Sequence, residues 1–165
     1  MISFNYGKMD DTIHVFADSD FAGCKRTRRS TSGGAIMWNN CLIKSWSKTQ
    51  ATIALSTGEA ELCSLAKASA EGLGIKSILQ DWGINCSVCV HTDATAAIGI
   101  ASRQGLGRIR HIATTDRWVQ QRIKCGDLSI EKILGDINPS DLMTKPLDAR
   151  RMHSLLNLMN AKLVE

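Results

Sequence analysis

Four acidic residues stand where predicted strands end or predicted helices begin: Asp18, Glu61, Asp93 and Asp141. Strand ends and helix starts on one side of a sheet can bring side chains that are distant in sequence within a few ångströms of one another. Carboxylates gathered in this way repel each other unless cations neutralise them. With no cluster of histidines and cysteines evident beside them, such oxygen ligands favour Mg²⁺ or Mn²⁺, and two such ions about 4 Å apart suit in-line displacement at phosphorus.

Each of the four acids also has an ordinary structural interpretation. Asp18 could end a strand in a turn, and Asp93 could be the N-cap of a helix. Glu61 is in the first turns of a predicted helix, where an acid stabilises the helix dipole, and Asp141 follows Asn138 at the spacing of a capping box. Taken singly, the acids indicate no site. Taken together, in this order of elements, they favour one.

The strands that must position these acids can be predicted from their β-branched and alternating residues, and the first three indicate an antiparallel meander. The predicted strands are Thr12 to Phe16, Gly33 to Trp38, Leu42 to Ser47, Ser87 to His91 and Leu128 to Leu134. A polar turn, Asn39-Asn40-Cys41, separates the second strand from the third. Cys86 and Cys89 form a C-x-x-C in a strand-like stretch, where their odd spacing points them to opposite faces, so a shared zinc ion is not expected.

Helices are predicted from capping signals and apolar periodicity. Ser56 and Glu59 form a capping box that opens a long helix, which Gly83 is placed to end. The apolar stripe of this helix comprises Leu62, Leu65, Ser69, Leu73, Ile78, Leu79 and Trp82. Further helices are predicted over ATAAIGIA, over Thr114 to Cys125 with Gly126 as its stop, and from Asn138-Pro139 onward. Met152, Leu155, Leu156, Met159 and Leu163 predict an amphipathic closing helix at about residues 148–163.

Length and composition limit the class of protein. The chain has 165 residues, of which 44% are hydrophobic and 22% charged, as is typical of a single globular domain. No stretch approaches the roughly 20 apolar residues of a membrane span, and the first residues lack an apolar signal core. The six cysteines are interpreted as reduced thiols of an intracellular protein, because a chain of this size needs no disulfides to fold.

The net charge of +4 is small, but the basic residues are clustered. One cluster comprises Lys25, Arg26, Arg28 and Arg29, and the other comprises Arg103, Arg108, Arg110 and His111. Both clusters lie in predicted loops. They are either ordinary solvated loops or, if they share one face, contacts for phosphates, and the sequence leaves both interpretations open.

Five segments occur in an order that is specific to one family. They are VFADSDFAGCKRTRRSTSGG, KSWSKTQATIALSTGEAEL, VHTDATAAI, GRIRHI and NPSDLMTKPL, and they lie between about Ile13 and Leu147. With these segments the chain resembles the ribonuclease H domain of a copia-type long-terminal-repeat retrotransposon polyprotein. The resemblance implies a ribonuclease H-like α/β fold, in which a mixed five-stranded sheet of three antiparallel strands and parallel additions is flanked by helices. It also implies a single domain over residues 1–165, with a core at about 12–147.

The family's activity is the expected activity of this chain. The resemblance implies an endonuclease that cuts the RNA strand of an RNA–DNA hybrid with two Mg²⁺ ions, for which Mn²⁺ can substitute, and leaves a 5′-phosphate and a 3′-hydroxyl. Asp18 matches the first-strand acid and is expected to bridge both metals. Glu61, Asp93 and Asp141 match the other catalytic acids and would complete the two coordination shells. The implied partners are the hybrid and reverse transcriptase or other polyprotein domains, away from any membrane, in a cytoplasmic particle or the nucleus.

The resemblance also implies residues that contact nucleic acid, because recognition of a hybrid needs contacts to sugars and phosphates across the minor groove. The expected contact residues are Ser19, Thr57, Gly58, Thr95, Arg108, Arg110 and His111. The first four adjoin the acids. The last three belong to the second basic loop, which is expected to hold phosphates.

The chain departs from the family's pattern in three places. Ala113 stands where many copia-type domains have an acid, and the loop GDINPSD lacks the histidine that many cellular ribonucleases H carry before the last acid. A basic protrusion after Asp93 is also not evident, so another part of the polyprotein is expected to help grip the hybrid. Two alternatives stay open: a DNA nuclease of the same fold, and a non-catalytic hybrid-binding or structural module of a decayed element.

Overall fold

A computed structural model of the chain describes residues 2–4, 11–102 and 113–163. The strands are β1 (Ile2–Phe4), β2 (Thr12–Asp20), β3 (Thr31–Trp38), β4 (Cys41–Thr49), β5 (Ser87–Thr92), β6 (Ser129–Lys132) and β7 (Ala161–Leu163). The α-helices are α1 (Thr57–Asp81), α2 (Thr95–Ala101), α3 (Ala113–Lys124) and α4 (Ala149–Leu158), and two short 3₁₀ helices cover Gly135–Ile137 and Pro139–Met143. No helix within these described ranges is long and apolar enough to cross a membrane.

The main sheet has the strand order β4-β3-β2-β5-β6. Strands β2, β3 and β4 pair antiparallel, whereas β5 runs parallel to β2 and β6 runs parallel to β5. The predicted mixed five-stranded sheet, with three antiparallel strands and parallel additions, is therefore confirmed. The turn between β3 and β4 has positive φ at Asn39 and Asn40, 50° and 61°, as a tight hairpin turn requires.

The main core lies between this sheet and α1. Alternate residues of β2, namely Ile13, Val15 and Ala17, are at most 1% exposed and pack in the same cluster as residues of α1 and β5. A Cβ built on Gly72 of α1 would lie 2.7 Å from Val15 Cγ2, so glycine is what lets the helix approach the sheet so closely. The long helix is thereby fixed against the strand that carries Asp18.

The predicted limits of α1 are confirmed, but its predicted apolar stripe is only partly buried. Ser56 Oγ accepts a hydrogen bond of 3.2 Å from the Glu59 amide, and Gly83 has a φ of +78° after the last turn. Ile78 and Trp82 are 48% and 73% exposed. Adjacent helix positions are about 100° apart, so with Leu79 buried the neighbouring Ile78, and Trp82 one turn later, face solvent.

The predicted closing helix at about residues 148–163 is wrong beyond Leu158. Helix α4 ends at Leu158, and Asn160 takes a left-handed φ of 52° that stops helical continuation. Residues Ala161–Leu163 instead form β7, which pairs antiparallel with β1. Helix α4 still packs on this domain as expected: Leu155 is fully buried, and Leu156 and Met159 pack with Ala35 and Met37 on the second face of the sheet.

Candidate active site

Asp18 is held near the end of β2, in a buried position. The residue is 8% exposed, and its backbone carbonyl accepts a hydrogen bond of 2.6 Å from Ser64 Oγ of α1. The hydroxyl of Thr144 donates a hydrogen bond to Asp18 Oδ2. A buried carboxylate is unfavourable without hydrogen-bond partners. The Thr144 hydroxyl provides such a partner for Asp18, and the Ser64 contact holds the backbone at this position.

Asp141 reaches the same place from the 3₁₀ helix Pro139–Met143, which Asn138 caps. Asn138 is fully buried, and its Oδ1 accepts a hydrogen bond of 3.2 Å from the Ser140 amide. Its Nδ2 donates to the carbonyl of Ala17, the residue before Asp18, at 3.2 Å. Asn138 is thus the predicted N-cap, although the element it opens is a five-residue 3₁₀ helix rather than an α-helix. The same side chain ties that helix to β2.

Gly33 of β3 makes room for this arrangement. It pairs with Asp18 across the sheet, and a Cβ built on it would lie 2.4 Å from Thr144 Cγ2 and 2.8 Å from Met143 Cβ. No side chain fits at such distances, so the glycine allows the end of the 3₁₀ helix to rest directly on the strand. This close approach sets Thr144 beside Asp18.

Glu61 and Asp93 approach from the other two elements. Glu61 is half-buried in the early turns of α1, and Asp93 is half-buried directly after β5. A Cβ built on Gly135 would lie 3.0 Å from Asp93 Oδ2, so the backbone of that glycine lies against the Asp93 carboxylate. The 3₁₀ helix Gly135–Ile137 therefore joins the same site.

The ordinary roles considered for these acids are not the ones they have. Ala94, not Asp93, is the N-cap residue of α2, and it makes no side-chain capping bond. The first-turn acid of α1 is Glu59 rather than Glu61, and Asp18 lies within β2 rather than in a turn. The carboxylate of Asp141 binds basic side chains instead of closing a capping box. The four acids are thus available for a site.

The pKa values of Asp18 and Glu61 are raised by burial and by neighbouring carboxylates. Burial raises the pKa of Asp18 above its ordinary value of 3.8, the Thr144 hydrogen bond and the Lys145 charge oppose this rise, and the charge of Asp141 adds to it. Burial also raises the pKa of Glu61 above 4.5, and the charges of Asp93 and Asp18 add to that rise. Repulsion therefore links Glu61 to Asp93 and Asp18, and Asp18 to Asp141.

Two basic side chains neutralise part of this charge. Lys145 Nζ lies 3.2 Å from Asp18 Oδ2 and 2.6 Å from Asp141 Oδ1. Burial alone would lower the pKa of Lys145, but the hydrogen bond to Asp141 and the charge of Asp18 raise it, so the amine stays an ammonium ion. Arg151 Nη2 lies 3.3 Å from Asp141 Oδ2 and donates to the Gly135 carbonyl at 3.0 Å. A cation already bridges two of the acids.

The donor set fits hard divalent cations. Carboxylate oxygens are the ligands preferred by Mg²⁺ and Mn²⁺. Asp18 and Asp141 are 8% and 7% exposed, so their charges need compensation, and the ammonium of Lys145 lies between them. The residues present are therefore suited to bind Mg²⁺ or Mn²⁺ at the position where Lys145 now supplies positive charge.

Three of the residues expected to contact nucleic acid lie beside the acids. Thr57 and Thr95 are the exposed first residues of α1 and α2. A Cβ built on Gly58 would lie 3.5 Å from the Cβ of Ala96, so the two helix starts are neighbours. The hydroxyl of Ser19, by contrast, is shielded from solvent and makes no hydrogen bond with any described residue.

The structure describes only the first of the two basic loops. Lys25, Arg26, Arg28 and Arg29 are exposed in a loop that follows β2 and is closed by a 2.7 Å hydrogen bond from the Arg28 amide to the Cys24 carbonyl. The predicted phosphate-binding residues Arg108, Arg110 and His111, together with Arg103, lie outside the described residues. The expected role of Arg108, Arg110 and His111 in holding phosphates stays a prediction.

Some residues of the site and of its surroundings were missed by sequence reasoning. Lys145 follows Asp141 at the i, i+4 spacing of a helical ion pair, a signal that could have identified it, whereas Thr144 and Arg151 carry no comparable signal. Sequence reasoning also did not single out a group of possible metal ligands away from the four acids. Cys89, His91 and Glu131 have ligand atoms within 4.8 Å of one another, which the sequence does not reveal because Glu131 comes from another strand.

The chain has relatives among transposon polyproteins, although no protein-family model matches it. It is 29% identical over 142 residues to the retrovirus-related Pol polyprotein from transposon TNT 1-94 of Nicotiana tabacum, covering 85% of this chain and 11% of that protein. It is 28% identical over 139 residues to the Pol polyprotein from transposon RE1 of Arabidopsis thaliana, covering 82% and 10%. The chain thus spans about a tenth of the length of these curated relatives.

Solved ribonuclease H structures have the same fold. LC11-RNase H1, isolated from compost by a metagenomic approach, superposes with a TM-score of 0.64 at 13% identity, covering 82% of this chain and 94% of that one. RNase H1 from Halobacterium salinarum gives 0.58 at 12% identity, covering 81% and 94%. LC11-RNase H1 in complex with an RNA/DNA hybrid gives 0.55 at 14%, covering 80% and 93%. The chain therefore has the ribonuclease H fold, and its homologues are copia-type, retrovirus-related Pol polyproteins of plant transposons.

Proposed function

We propose that this chain is a ribonuclease H that hydrolyses the RNA strand of RNA–DNA hybrids, in the reverse transcription of a retrotransposon. The observation that carries the proposal is that four acids from four separate elements are linked at one end of the sheet. Lys145 Nζ contacts both Asp18 and Asp141, and the charges of Asp93 and Asp18 act on Glu61. Such a group is unfavourable to build unless cations complete it. The homology to Pol polyproteins supports the retrotransposon context.

The four acids would hold two Mg²⁺ ions, with Mn²⁺ as a substitute. When bound, the ions would lower the pKa of the attacking water and stabilise the leaving 3′ oxygen, giving 5′-phosphate and 3′-hydroxyl products. Thr144 keeps Asp18 Oδ2 oriented through its hydrogen bond. Lys145 is 42% exposed at its side chain, and its flexible stem lets it leave the position between Asp18 and Asp141.

The hybrid would lie across the starts of α1 and α2. Thr57, Gly58 and Thr95 are at the helix starts beside Glu61 and Asp93, and the exposed Thr57 and Thr95 can contact sugars and phosphates. The exposed basic residues that follow β2 can contact a phosphate backbone. The hybrid in the LC11-RNase H1 complex, a protein of the same fold, supports this class of substrate. We further propose that reverse transcriptase or another polyprotein domain assists binding, in a cytoplasmic particle or the nucleus.

The direct test is cleavage of an end-labelled RNA–DNA hybrid in Mg²⁺. Wild type is expected to cut only the RNA strand, and Asp18→Asn is expected to lose at least about a hundredfold in rate, because a carboxylate ligand becomes a neutral amide. Asp136→Asn makes the same chemical change at an exposed acid outside the cluster and serves as the matched control.

The same assay with duplex DNA, branched DNA and the hybrid as substrates distinguishes a ribonuclease H from a DNA nuclease and from a non-catalytic module. Cleavage of duplex or branched DNA in place of the hybrid would favour a DNA nuclease of the same fold. Tight hybrid binding without cleavage in either Mg²⁺ or Mn²⁺ would favour a non-catalytic module. Undiminished hybrid cleavage by Asp18→Asn would refute the assignment of the acids.

A further inference from the structure

A second group of possible metal ligands lies on strands β5 and β6. Cys89 and His91 are two residues apart on β5, so their side chains share one face of the sheet. In the parallel register, Glu131 of β6 pairs with His91. The Cys89 sulfur, a His91 ring nitrogen and a Glu131 carboxylate oxygen all lie within 4.8 Å of one another. Val90 and Ile130 between them point to the other face, into the main core.

The ring of His91 is held by two further contacts. Its Nε2 lies 2.9 Å from His14 Nδ1, and the ring stacks on Phe16 with 4.9 Å between centroids. The other nitrogen, Nδ1, lies 3.8 Å from Glu131 Oε2. A histidine that binds a metal commonly donates its second N–H to a neighbouring acceptor, which fixes the ring and its tautomer. His14 is placed to be that acceptor.

We propose that Cys89, His91 and Glu131 form a binding site for a transition-metal ion of the Zn²⁺ class, with His91 binding through Nδ1. Thiolate, imidazole and carboxylate are the side-chain ligands that zinc takes, and three of them leave a fourth tetrahedral position for water. A thiolate does not suit Mg²⁺. The chain would therefore hold two kinds of cation at two sites that differ in ligand chemistry.

The distance between His91 and Glu131 needs only a small adjustment. Zinc bond lengths place tetrahedral nitrogen and oxygen ligands roughly 3.4 Å apart, and His91 Nδ1 and Glu131 Oε2 are 3.8 Å apart. The side chain of Glu131 is 65% exposed and is free to move inward, whereas that of His91 is 12% exposed and fixed. Cys89 is 5% exposed and lies beneath them. The exposed glutamate would close over an ion held by two fixed ligands.

A bound ion would cross-link the last two strands of the main sheet. Strand β6 has four residues and lies at the edge of the sheet, next to β5. It leads directly into the loop and 3₁₀ helix that carry Asp141. Fixing β6 to β5 would hold the start of that segment. The binding of this ion does not depend on the proposed nuclease activity.

The test is Co²⁺ binding by the full chain, with excess Mg²⁺ present to fill the site of the four acids. Wild type is expected to bind one Co²⁺ per chain with a thiolate-to-cobalt charge-transfer band in the near ultraviolet, which Zn²⁺ should abolish by displacement. Cys89→Ser should lose the band, and Glu131→Gln should weaken Co²⁺ binding by about tenfold or more, since each removes one ligand. Asp18→Asn should keep the band.

Matched controls remove the same chemical groups elsewhere. Cys125→Ser deletes an exposed thiol, and Asp81→Asn deletes an exposed acid. Both should leave the band and the affinity unchanged. No charge-transfer band in the wild type, or unchanged affinity in Glu131→Gln, would overturn the proposal. Glu131 is exposed, so this variant tests the site even if Cys89→Ser does not fold.

Discussion

Lys145 occupies a position between two buried carboxylates that would otherwise repel each other. Its ammonium lies 3.2 Å from Asp18 and 2.6 Å from Asp141, which is the arrangement expected of a built-in counter-ion. A divalent cation bound to the same oxygens would make that ammonium redundant and would repel it. The metal-free and metal-loaded proteins should therefore depend on Lys145 to different degrees.

Replacing Lys145 by methionine tests this dependence. In EDTA the free energy of unfolding should fall by about 1 kcal/mol, a figure kept low because the lysine side chain is 42% exposed and water screens the pairs. Added Mg²⁺ should restore more stability to Lys145→Met than to wild type. Urea unfolding with and without Mg²⁺ measures both values. Lys48→Met, at an exposed lysine of β4, should show neither effect, and equal urea midpoints for Lys145→Met and wild type in EDTA would contradict the counter-ion role.

Glu61 makes a pH-dependent contribution whose sign follows from its raised pKa. An acid that is harder to ionise in the folded state contributes stability at low pH, and this contribution is lost as the pH rises through the folded pKa. Burial and the charges of Asp93 and Asp18 put Glu61 in this class. Without metal, Glu61→Gln should therefore be more stable than wild type at pH 7, and the difference should vanish as the pH falls below 4.5.

Glu71 supplies a control of opposite sign. Hydrogen bonds from Lys44 and Lys67 lower the pKa of Glu71 below 4.5, so its contribution is present above that pH and is lost as the pH falls through the folded pKa. Glu71→Gln should thus be less stable than wild type at pH 7. Urea unfolding in EDTA between pH 4 and 8 measures both variants. A Glu61→Gln protein less stable than wild type throughout would show that Glu61 is not repelled by its neighbours.

At the residue scale, the sequence could identify the acids but not what surrounds them. Asp18, Glu61, Asp93 and Asp141 stand at junctions of elements with a specific order. The hydrogen bond from Thr144 to Asp18 depends on how closely the 3₁₀ helix approaches β3, and that distance is a tertiary property. No local pattern in the sequence determines it.

At the scale of elements, the 3₁₀ helix Pro139–Met143 can lie directly on β3 because Gly33 has no side chain. Gly33→Ala should cost about 1–3 kcal/mol of unfolding free energy, because its Cβ would meet Thr144 and the backbone of Met143, at 2.4 Å and 3.2 Å. The displaced helix should also lower metal affinity, since Asp141 moves with it. Urea unfolding and Mn²⁺ titration measure the two effects.

Gly74 of α1 is the matched glycine. A Cβ built there meets nothing within 4 Å, so Gly74→Ala should stabilise the protein by about 0.5–1 kcal/mol through helix propensity. If Gly33→Ala also proved neutral or stabilising, the 3₁₀ helix would not be seated by close contact, and the account of how Asp141 is positioned would fail.

At the element scale, sequence patterns located elements better than they located ends and helix types. The capping box at Ser56 and the glycine at 83 set the limits of α1 correctly, because both act through local hydrogen bonds and dihedrals. The spacing of Leu163 fits the apolar stripe predicted for the closing helix. In the structure Leu163 belongs to β7 instead, because this segment pairs with β1. Pairing between residues at opposite ends of a chain leaves no local signal.

On the scale of the whole molecule, the domain does not end with the last acid. Helix α4 covers Ala35 and Met37 on the second face of the sheet, with Leu155 and Met159 almost completely buried. A chain that stops after Leu147 would expose this surface and lose the Arg151 contacts to Asp141. The predicted core of residues 12–147 is therefore expected to need the closing segment.

Truncation after Leu147 should thus cost several kcal/mol, since losing even one buried leucine or methionine side chain costs about 2–5 kcal/mol. Against a typical domain stability of about 5–15 kcal/mol, the truncated chain should melt at a much lower temperature or fail to fold. Circular dichroism with heating measures this. Truncation after Leu163 keeps α4 and β7 and should melt like the full chain. A chain ending at Leu147 with wild-type melting behaviour would show that α4 is dispensable.

The pairing of β1 with β7 places Ile2–Phe4 beside Ala161–Leu163. Neighbouring strands lie only about 5 Å apart, so two flexible tethers attached at these strands would emerge from a single patch of surface. A domain whose two attachment points lie this close together can be inserted into a longer polypeptide without forcing the flanking segments apart. The same proximity means that a short peptide could join the two strands, and the backbone could be reopened at the Asn39-Asn40 turn with the order of the main sheet preserved.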